Sequence, residues 1–481
     1  MDIQLLIAGK DVAASGGATF TRNNPVTGQV ASTAAAASVA DAKAAVAAAA
    51  AAFPKWSALG PNARRAILIK AADAIEARTP EFIALMADEI GATAGWAGFN
   101  CFLAAGMLRE AAAMTTQVSG ETIPSDKPGC ISIALRSPAG VVLGMAPWNA
   151  PVILGVRAVA VPLAVGNTVV LKASEICPGV HRLIGRVLQD SGLPDGAINV
   201  ITNAPADAAE VVAAMIADPA VRRVNFTGST KVGKIVGELC GRHLKPAVLE
   251  LGGKAPMLVL DDANLDDAVK GAAFGAFMNQ GQICMSTERL VVDDKVADAF
   301  VAKFAAKAAS LPAGDPRGGN VVLGSLVSVE AADKVERLIA DAVAKGAKLV
   351  AGGKREGSIM DAALLDHVTP GMDIYYEESF GPVVSVIRAS GDDALVAIAN
   401  DTEYGLSSAV YSQDINRALS VAQRIQAGIC HINASTVADE AQMPFGGVKG
   451  SGYGRFGGRY GVNEFTDVKW LTIESQPHYP F

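Results

Sequence analysis

The chain has 481 residues, half of them apolar, few aromatic, with a formal net charge of −7. That length exceeds one ordinary hydrophobic core and predicts two or three domains. The mild acidity excludes nucleic acid as the main partner, and the Ala- and Gly-rich apolar composition excludes a disordered or fibrous chain.

In chain order, residues 1–30 read as a short β-rich entry with Gly and Pro turns. An Ala-rich helix is predicted over 38–53. Residues 61–78 carry a stronger helix signal: Ile67, Leu68, Ala71, Ala74 and Ile75 recur at helical spacing, and Pro61 suits a first-turn position. Helices continue over 80–90 and 98–118, and strands follow at 131–136 and 141–145. Then come helix 152–165, strand 167–171, helix 178–191, strand 197–201, helix 206–217, strand 222–226, helix 230–241 and strand 245–249. This alternation predicts a parallel sheet covered on both faces, which binds ligands at the carboxyl ends of its strands. KASE (172–175), FTGST (226–230) and LELGG (249–253) all fall at those ends. A second α/β unit is predicted over 254–449, with helices near 264–278, 296–309, 329–345 and 413–426. Residues 467–474 are strand-like.

The six cysteines, Cys101, Cys130, Cys177, Cys240, Cys284 and Cys430, form no CxxC pair and have no His-rich companions. Neither a metal site nor a disulfide framework is expected. The N-terminus MDIQLLIAGKDV lacks the basic and apolar regions of a secretory signal. The most apolar stretch, 141–171, is broken by Pro147, Asn149, Pro151, Arg157 and Pro162, which suits buried strands and a helix better than a membrane span. A cytoplasmic protein with no membrane partner is expected.

Cys284 lies near the middle of NQGQICMSTER (279–289). A thiolate is a strong nucleophile, and the Gly-Gln run before it lets the backbone pass close to a substrate. Alone, the same pattern also describes a small core residue. No G-x-G-x-x-G follows a strand, so the usual dinucleotide fingerprint is absent. Gly228 and Ser229 instead open a helix after a strand, where N–H groups can hold a pyrophosphate or the Ser simply caps the helix. Lys172 and Glu175 can grip two ribose hydroxyls, and an acidic group there disfavours a 2′-phosphate. Glu250 ends an apolar strand, where a raised pKa suits a general base; a strand-end salt bridge is the other reading. Asn149, between Pro147 and Pro151, is either a preorganised amide donor or a turn residue. Arg157 sits in the apolar VILGVRAVAV, so it meets a carboxylate (Asp439 or Glu440), lines a polar pocket, or reaches a solvated face.

The ordered set PWNAP (147–151), KASE, FTGST, LELGG, NQGQICMSTER and EESFGP (377–382) resembles the aldehyde dehydrogenase superfamily over nearly the whole chain. The resemblance implies an α/β fold with a Rossmann-like NAD-binding domain over 1–118 and 138–253 and an α/β catalytic domain over 254–449. A small β oligomerisation arm over 119–137 and 466–481 would reach another subunit in a homodimer or homotetramer. Cys284 would be the nucleophile, Glu250 the general base, and Asn149 with the Cys284 N–H the oxyanion hole. Trp148 is expected at the cofactor diphosphate, Lys172 and Glu175 at the adenosine ribose, Glu378 at the nicotinamide ribose and Phe380 beside the nicotinamide. Glu175 then points to NAD, with NADP weaker. The reaction implied is oxidation of an aldehyde to the acid through a Cys thiohemiacetal, hydride transfer and thioester hydrolysis, with no metal.

GATAGWAGFN (91–100), PWNAPVILGVRAV, GQICMSTERL and DEAQMPFGGVKGSGYGRFGG (439–458) look like the vanillin, salicylaldehyde and benzaldehyde dehydrogenase branch. That implies a small aromatic aldehyde, with Ala150 leaving room, Trp96, Met285 and Phe445 as walls, and Arg157 near the ring substituent. Many members of the superfamily carry a Gly-Glu-Tyr-Gly turn proposed to relay protons. This chain has Gly458-Arg459-Tyr460-Gly461, so Glu250 is expected to exchange protons through water or backbone. Aliphatic aldehydes or semialdehydes would use the same chemistry. A Cys hydrolase or acyltransferase finds no Cys–His signature around His181, His243, His367, His431 or His478. CoA acylation needs no Glu250, and a non-catalytic binding protein has no reason to keep Cys284, Glu250, Asn149, Lys172 and Glu378 together.

Overall fold

Strands β1 (Leu5–Ile7) and β2 (Lys10–Val12) precede a helical layer of α1 (Val39–Ser57), α2 (Pro61–Ala77), α3 (Thr79–Ile90) and α4 (Ala94–Met114). The computed structural model describes residues 1–319, 321–475 and 479. At the start of α1, Ser38 and Asp41 exchange side chain-to-backbone bonds, a capping box that satisfies two otherwise free N–H groups. α4 starts at Ala94 rather than 98, because the Thr93 hydroxyl accepts the Trp96 N–H and caps it there.

Two strands, β3 (Glu121–Ile123) and β4 (Cys130–Pro138), lead into the alternating region. It comprises β5 (Val141–Met145), α5 (Pro151–Ala164), β6 (Thr168–Lys172), α6 (Pro178–Asp190), β7 (Ile198–Ile201), α7 (Ala208–Ala217), β8 (Val221–Thr227), α8 (Thr230–Arg242) and β9 (Ala247–Glu250). The strands from β5 to β9 are parallel, in the order β9-β8-β5-β6-β7, and β1 and β2 extend the β7 edge antiparallel. The chain runs outward from β5 through β6 and β7, then returns to lay down β8 and β9 on the other side. That reversal opens a crevice beyond the carboxyl ends of β5 and β8. Apart from the partly exposed Val161, α5 is buried all round, as its continuous apolar sequence requires.

The second unit holds β10 (Ala255–Val259), α9 (Leu265–Phe277), β11 (Thr287–Asp293), α10 (Asp294–Ala309), α11 (Val329–Ala344), β12 (Lys348–Ala351), β13 (Ala363–Asp366), β14 (Val383–Ala389), α12 (Asp392–Asn400), β15 (Ser407–Tyr411), α13 (Ile415–Ala422) and β16 (Ile429–Ile432). Its sheet order is β12-β13-β14-β11-β10-β15-β16, parallel except for β12. The fully buried Arg289 donates to the Ile398, Ala399 and Lys254 carbonyls at 2.8, 2.9 and 3.2 Å, which satisfies the carboxyl end of α12.

Two returns close the structure. β17 (Gly452–Tyr453) pairs antiparallel with β9, placing Gly452 opposite Glu250. β18 (Thr466–Glu474) pairs with β4, and β4 with β3, in a three-stranded sheet. Val468, Trp470 and Ile473 are exposed on it. The arm expected over 466–481 extends past β18; residues 476–478, 480 and 481, with His478 among them, lie outside the described residues. Among the described residues, no helix is long and apolar enough to cross a membrane.

Candidate active site

Four neighbouring strand ends deliver the first polar groups. β9 ends in Glu250, β8 leads to Gly228 and Ser229, β5 leads to Trp148 and Asn149, and β6 ends in Lys172. Trp148, Asn149, Gly228, Ser229, Glu250, Cys284, Lys334, Glu378 and Phe380 line a cleft of about 280 Å³. Gly228 and Ser229 meet it at the start of the 13-residue α8, whose N–H groups favour an anion. A Cβ at Gly228 would fall 2.4 Å from the Phe226 ring, which would have to move to admit it. Lys172 and Glu175 stand apart from this lining and pair with each other at the adjoining strand end. Asn203 Nδ2 donates to Glu175 Oε1 at 2.9 Å.

Cys284 follows a turn with three consecutive left-handed residues, Asn279, Gln280 and Gly281, at φ 48°, 57° and 71°. Each non-glycine there costs about 1–2 kcal/mol, so the turn needs external ties. Gln280 Nε2 donates to the Ser325 carbonyl at 3.0 Å, and Gln282 Oε1 accepts the Val327 N–H at 2.9 Å. Asn279 Nδ2 donates to the Asn149 carbonyl at 2.9 Å, and Trp96 Nε1 donates to the same oxygen at 3.0 Å. With its carbonyl held twice, the Asn149 backbone is fixed while its side chain borders the cleft.

Glu250 is 1 % exposed, and neither carboxylate oxygen has a hydrogen-bond partner among the described residues. Burial pushes its carboxyl up to about 7, against the opposing charge of Arg157 and the nearby Cys284 thiol. The Cys284 thiol is pushed well above its ordinary value by burial and by Glu250 itself. The resting pair therefore holds its proton on sulfur, next to a carboxylate that can take it. Glu378 is also pushed up to about 7, by burial and by the charge of Glu288. Its Oε1 accepts the Gly253 N–H at 2.9 Å, and Lys334 Nζ donates to its carbonyl at 2.7 Å. The Phe380 ring meets Trp148 edge-on, with centroids 5.7 Å apart.

A second pocket shares Cys284 and Asn149 with this cleft and is lined mainly by apolar side chains. Trp96, Ala150, Arg157, Met285 and Phe445 line it, together with Cys284 and Asn149. Phe99 and Phe274 line it too; Phe99 stacks on Trp96 at 5.7 Å. Spacing could have found Phe99, three residues after Trp96 on one helix face, but nothing local marks Phe274. Arg157 is buried, ion-paired with Asp439, and stacked 4.1 Å over the Phe445 ring. Arg459 faces solvent. One Cys–His contact does form: Cys177 Sγ lies 3.9 Å from both His181 ring nitrogens. It is sealed, however. His181 Nδ1 accepts the Ser174 N–H at 3.0 Å, and burial holds the imidazole neutral, at about 3.

A family model described as the aldehyde dehydrogenase family matches residues 12–471. A vanillin dehydrogenase of Pseudomonas fluorescens is 64 % identical over 481 residues, covering 100 % of both chains. A salicylaldehyde dehydrogenase of Pseudomonas putida is 50 % identical over 483 residues, again covering 100 % of both. The crystal structure of a salicylaldehyde dehydrogenase from Pseudomonas putida G7, complexed with salicylaldehyde, superposes with a TM-score of 0.98 at 49 % identity and 100 % coverage of both chains.

Proposed function

The chain belongs to the aldehyde dehydrogenase family, and from that premise we propose that it oxidises a small aromatic aldehyde of the vanillin, salicylaldehyde or benzaldehyde type to the carboxylic acid. It is an aldehyde-oxidising oxidoreductase of an NAD(P)-dependent family. The observation that carries the aromatic reading is the meeting of two pockets at Cys284 and Asn149: a polar cleft, and an apolar pocket walled by Trp96, Phe99, Phe274 and Phe445.

The cleft lining suits the diphosphate and nicotinamide end of a dinucleotide, with Lys172 and Glu175 at the adjoining strand end for its adenosine half. Gly228 and Ser229 would hold the diphosphate at the start of α8 beside Trp148, Lys172 and Glu175 the adenosine ribose, and Glu378 with Phe380 the nicotinamide end. Glu175, bonded to Lys172 and Asn203, would repel a 2′-phosphate, which favours NAD over NADP. Bound nicotinamide supplies the acceptor for the hydride that leaves the substrate carbon. The protein's own groups do the rest. Glu250 takes the Cys284 proton, and the sulfur adds to the carbonyl carbon to give a thiohemiacetal. The Asn149 amide and the Cys284 N–H hold the oxyanion, which gains most where water is excluded. Once that carbon is a Cys284 thioester, Glu250 deprotonates a water for hydrolysis, and the acid leaves with Cys284 restored. Proton exchange at Glu250 runs through water or backbone, since Arg459 is at the surface.

A homodimer or homotetramer is supported by the exposed apolar residues of β18, and a cytoplasmic setting by six free cysteines. The test is a panel of initial NADH-formation rates with vanillin, salicylaldehyde, benzaldehyde and a short aliphatic aldehyde, each with NAD and NADP, and Cys284→Ala as blank. Ring aldehydes should lead in kcat/KM by at least about tenfold, or ~1.4 kcal/mol at the transition state. A lead for the aliphatic aldehyde would leave the dehydrogenase and remove the aromatic reading.

A further inference from the structure

The Glu378–Phe380 segment is held by a side chain outside the cleft. Glu288, on β11, is only 4 % exposed. Its carboxylate accepts the Ser379 N–H at 2.9 Å, the Ser379 hydroxyl at 2.7 Å and the Phe380 N–H at 3.1 Å. The wholly buried Lys254 supplies the counter-charge through an ion pair. Two successive N–H groups converging on one carboxylate form an anion nest. It forms where Phe380 is left-handed, at φ 52°, a conformation disfavoured for any residue with a Cβ.

The same cluster reaches the nucleophile. Gly253, directly before Lys254, donates its N–H to Glu378 Oε1 and packs against the Cys284 carbonyl. A buried Lys–Glu pair is weak evidence for stability, because desolvation offsets much of the attraction. Here it joins the segment carrying Cys284 to the segment carrying Glu378 and Phe380. We propose that Glu288 is a positioning residue for hydride transfer: it fixes the Glu378–Phe380 backbone and so sets how far the nicotinamide stands from the carbon bonded to Cys284. This rests on the dehydrogenase reading above.

Glu288→Gln tests it, because the amide keeps one acceptor and loses the charge. Single-turnover NADH formation from benzaldehyde should slow by roughly tenfold or more, since small misplacements are costly at a reacting centre. The emission of bound NADH, which reports the surroundings of the nicotinamide, should shift. Esterase turnover of p-nitrophenyl acetate, which needs Cys284 and no cofactor, should fall far less. Equal losses in both activities with unchanged NADH emission would overturn the proposal, as would wild-type behaviour throughout. If the unpaired Lys254 prevents folding, the double variant Glu288→Gln/Lys254→Met removes both charges and is judged by the same readouts. A wild-type protein that reduces no NAD with any aldehyde would overturn the dehydrogenase reading and this inference with it.

Discussion

Replacing Gly253 by Ala should disable the nucleophile without unfolding the protein. A Cβ at Gly253 would lie 2.2 Å from the Cys284 carbonyl oxygen, a distance that real Cβ atoms essentially never show. The carbonyl is backbone and the backbone fixes the position of a Cβ, so neither atom can swing aside by a rotamer change. The two segments must part by about 0.8 Å to reach even 3.0 Å, the shortest separation that real Cβ atoms show, and further to reach an ordinary contact. A displacement on that scale at a reacting atom costs up to about a hundredfold in rate, or ~2.7 kcal/mol. The expected outcome is a loss of roughly thirty- to a hundredfold in kcat/KM, for aldehyde oxidation and for ester hydrolysis alike. Overpacking costs about 1–3 kcal/mol in stability, so the variant should still fold, with a lower Tm. Gly241→Ala, at the end of α8 with open space around its Cβ, is the control and should leave both rates unchanged. Gly253→Ala activity within about threefold of wild type, with an unchanged rate of Cys284 alkylation, would refute the reasoning.

Glu250→Gln cannot take a proton, and steady-state NADH formation should fall by about 10²–10⁴; retained turnover would remove Glu250 as the base. Since burial pushes that carboxyl up to about 7, it is half protonated there and mostly a base only above that value. The wild-type kcat should therefore climb through about pH 7 and level off; a flat profile would contradict the assignment. Arg157→Met leaves Asp439 buried and unpaired, which should cost about 3–5 kcal/mol in denaturant unfolding, and Arg157→Met/Asp439→Leu should recover most of it. Glu89 is fully buried and bonded to Ser32, Gly179 and Val180, and desolvation pushes it from 4.5 up to about 7. Because the folded value lies above the unfolded one, its contribution is complete below about pH 4.5 and is lost as pH rises through about 7. Glu89→Gln should flatten the decline of Tm across that interval, and an unaltered slope would show that Glu89 does not drive it.

What could be read before the structure was whatever short-range pattern encodes. The run from Val141 to Glu250 alternates apolar strands with helices because each parallel strand is buried on both faces. KASE, FTGST and LELGG could be placed at strand ends on that ground alone. An arginine on so apolar a helix as Arg157 meets an acid (Asp439 or Glu440), lines a polar pocket or reaches solvent; the structure buries it and pairs it with Asp439. Contacts made by distant segments left no such trace. Glu288 reads as an unremarkable charge ahead of an apolar stretch, yet it bonds residues 379 and 380. β17 is too short to show a period, and only its pairing with β9 makes it a strand. Cys177 and His181, four apart on one helical turn, could have been noticed as neighbours, but the solvent exclusion that silences them could not.

The doubly held carbonyl of Asn149 constrains how this pocket could be re-engineered or could drift in evolution. Trp96 at once lines the apolar pocket and donates to the Asn149 carbonyl. Trimming it to admit a bulkier aldehyde would also loosen the peptide that Asn279 grips, so breadth and turnover would be traded at one position. Phe99 and Phe274 border the same space, are partly exposed, and bear no polar atom in their side chains. Changes of substrate range that spare the rate should accumulate at those two positions, with Trp96 held fixed.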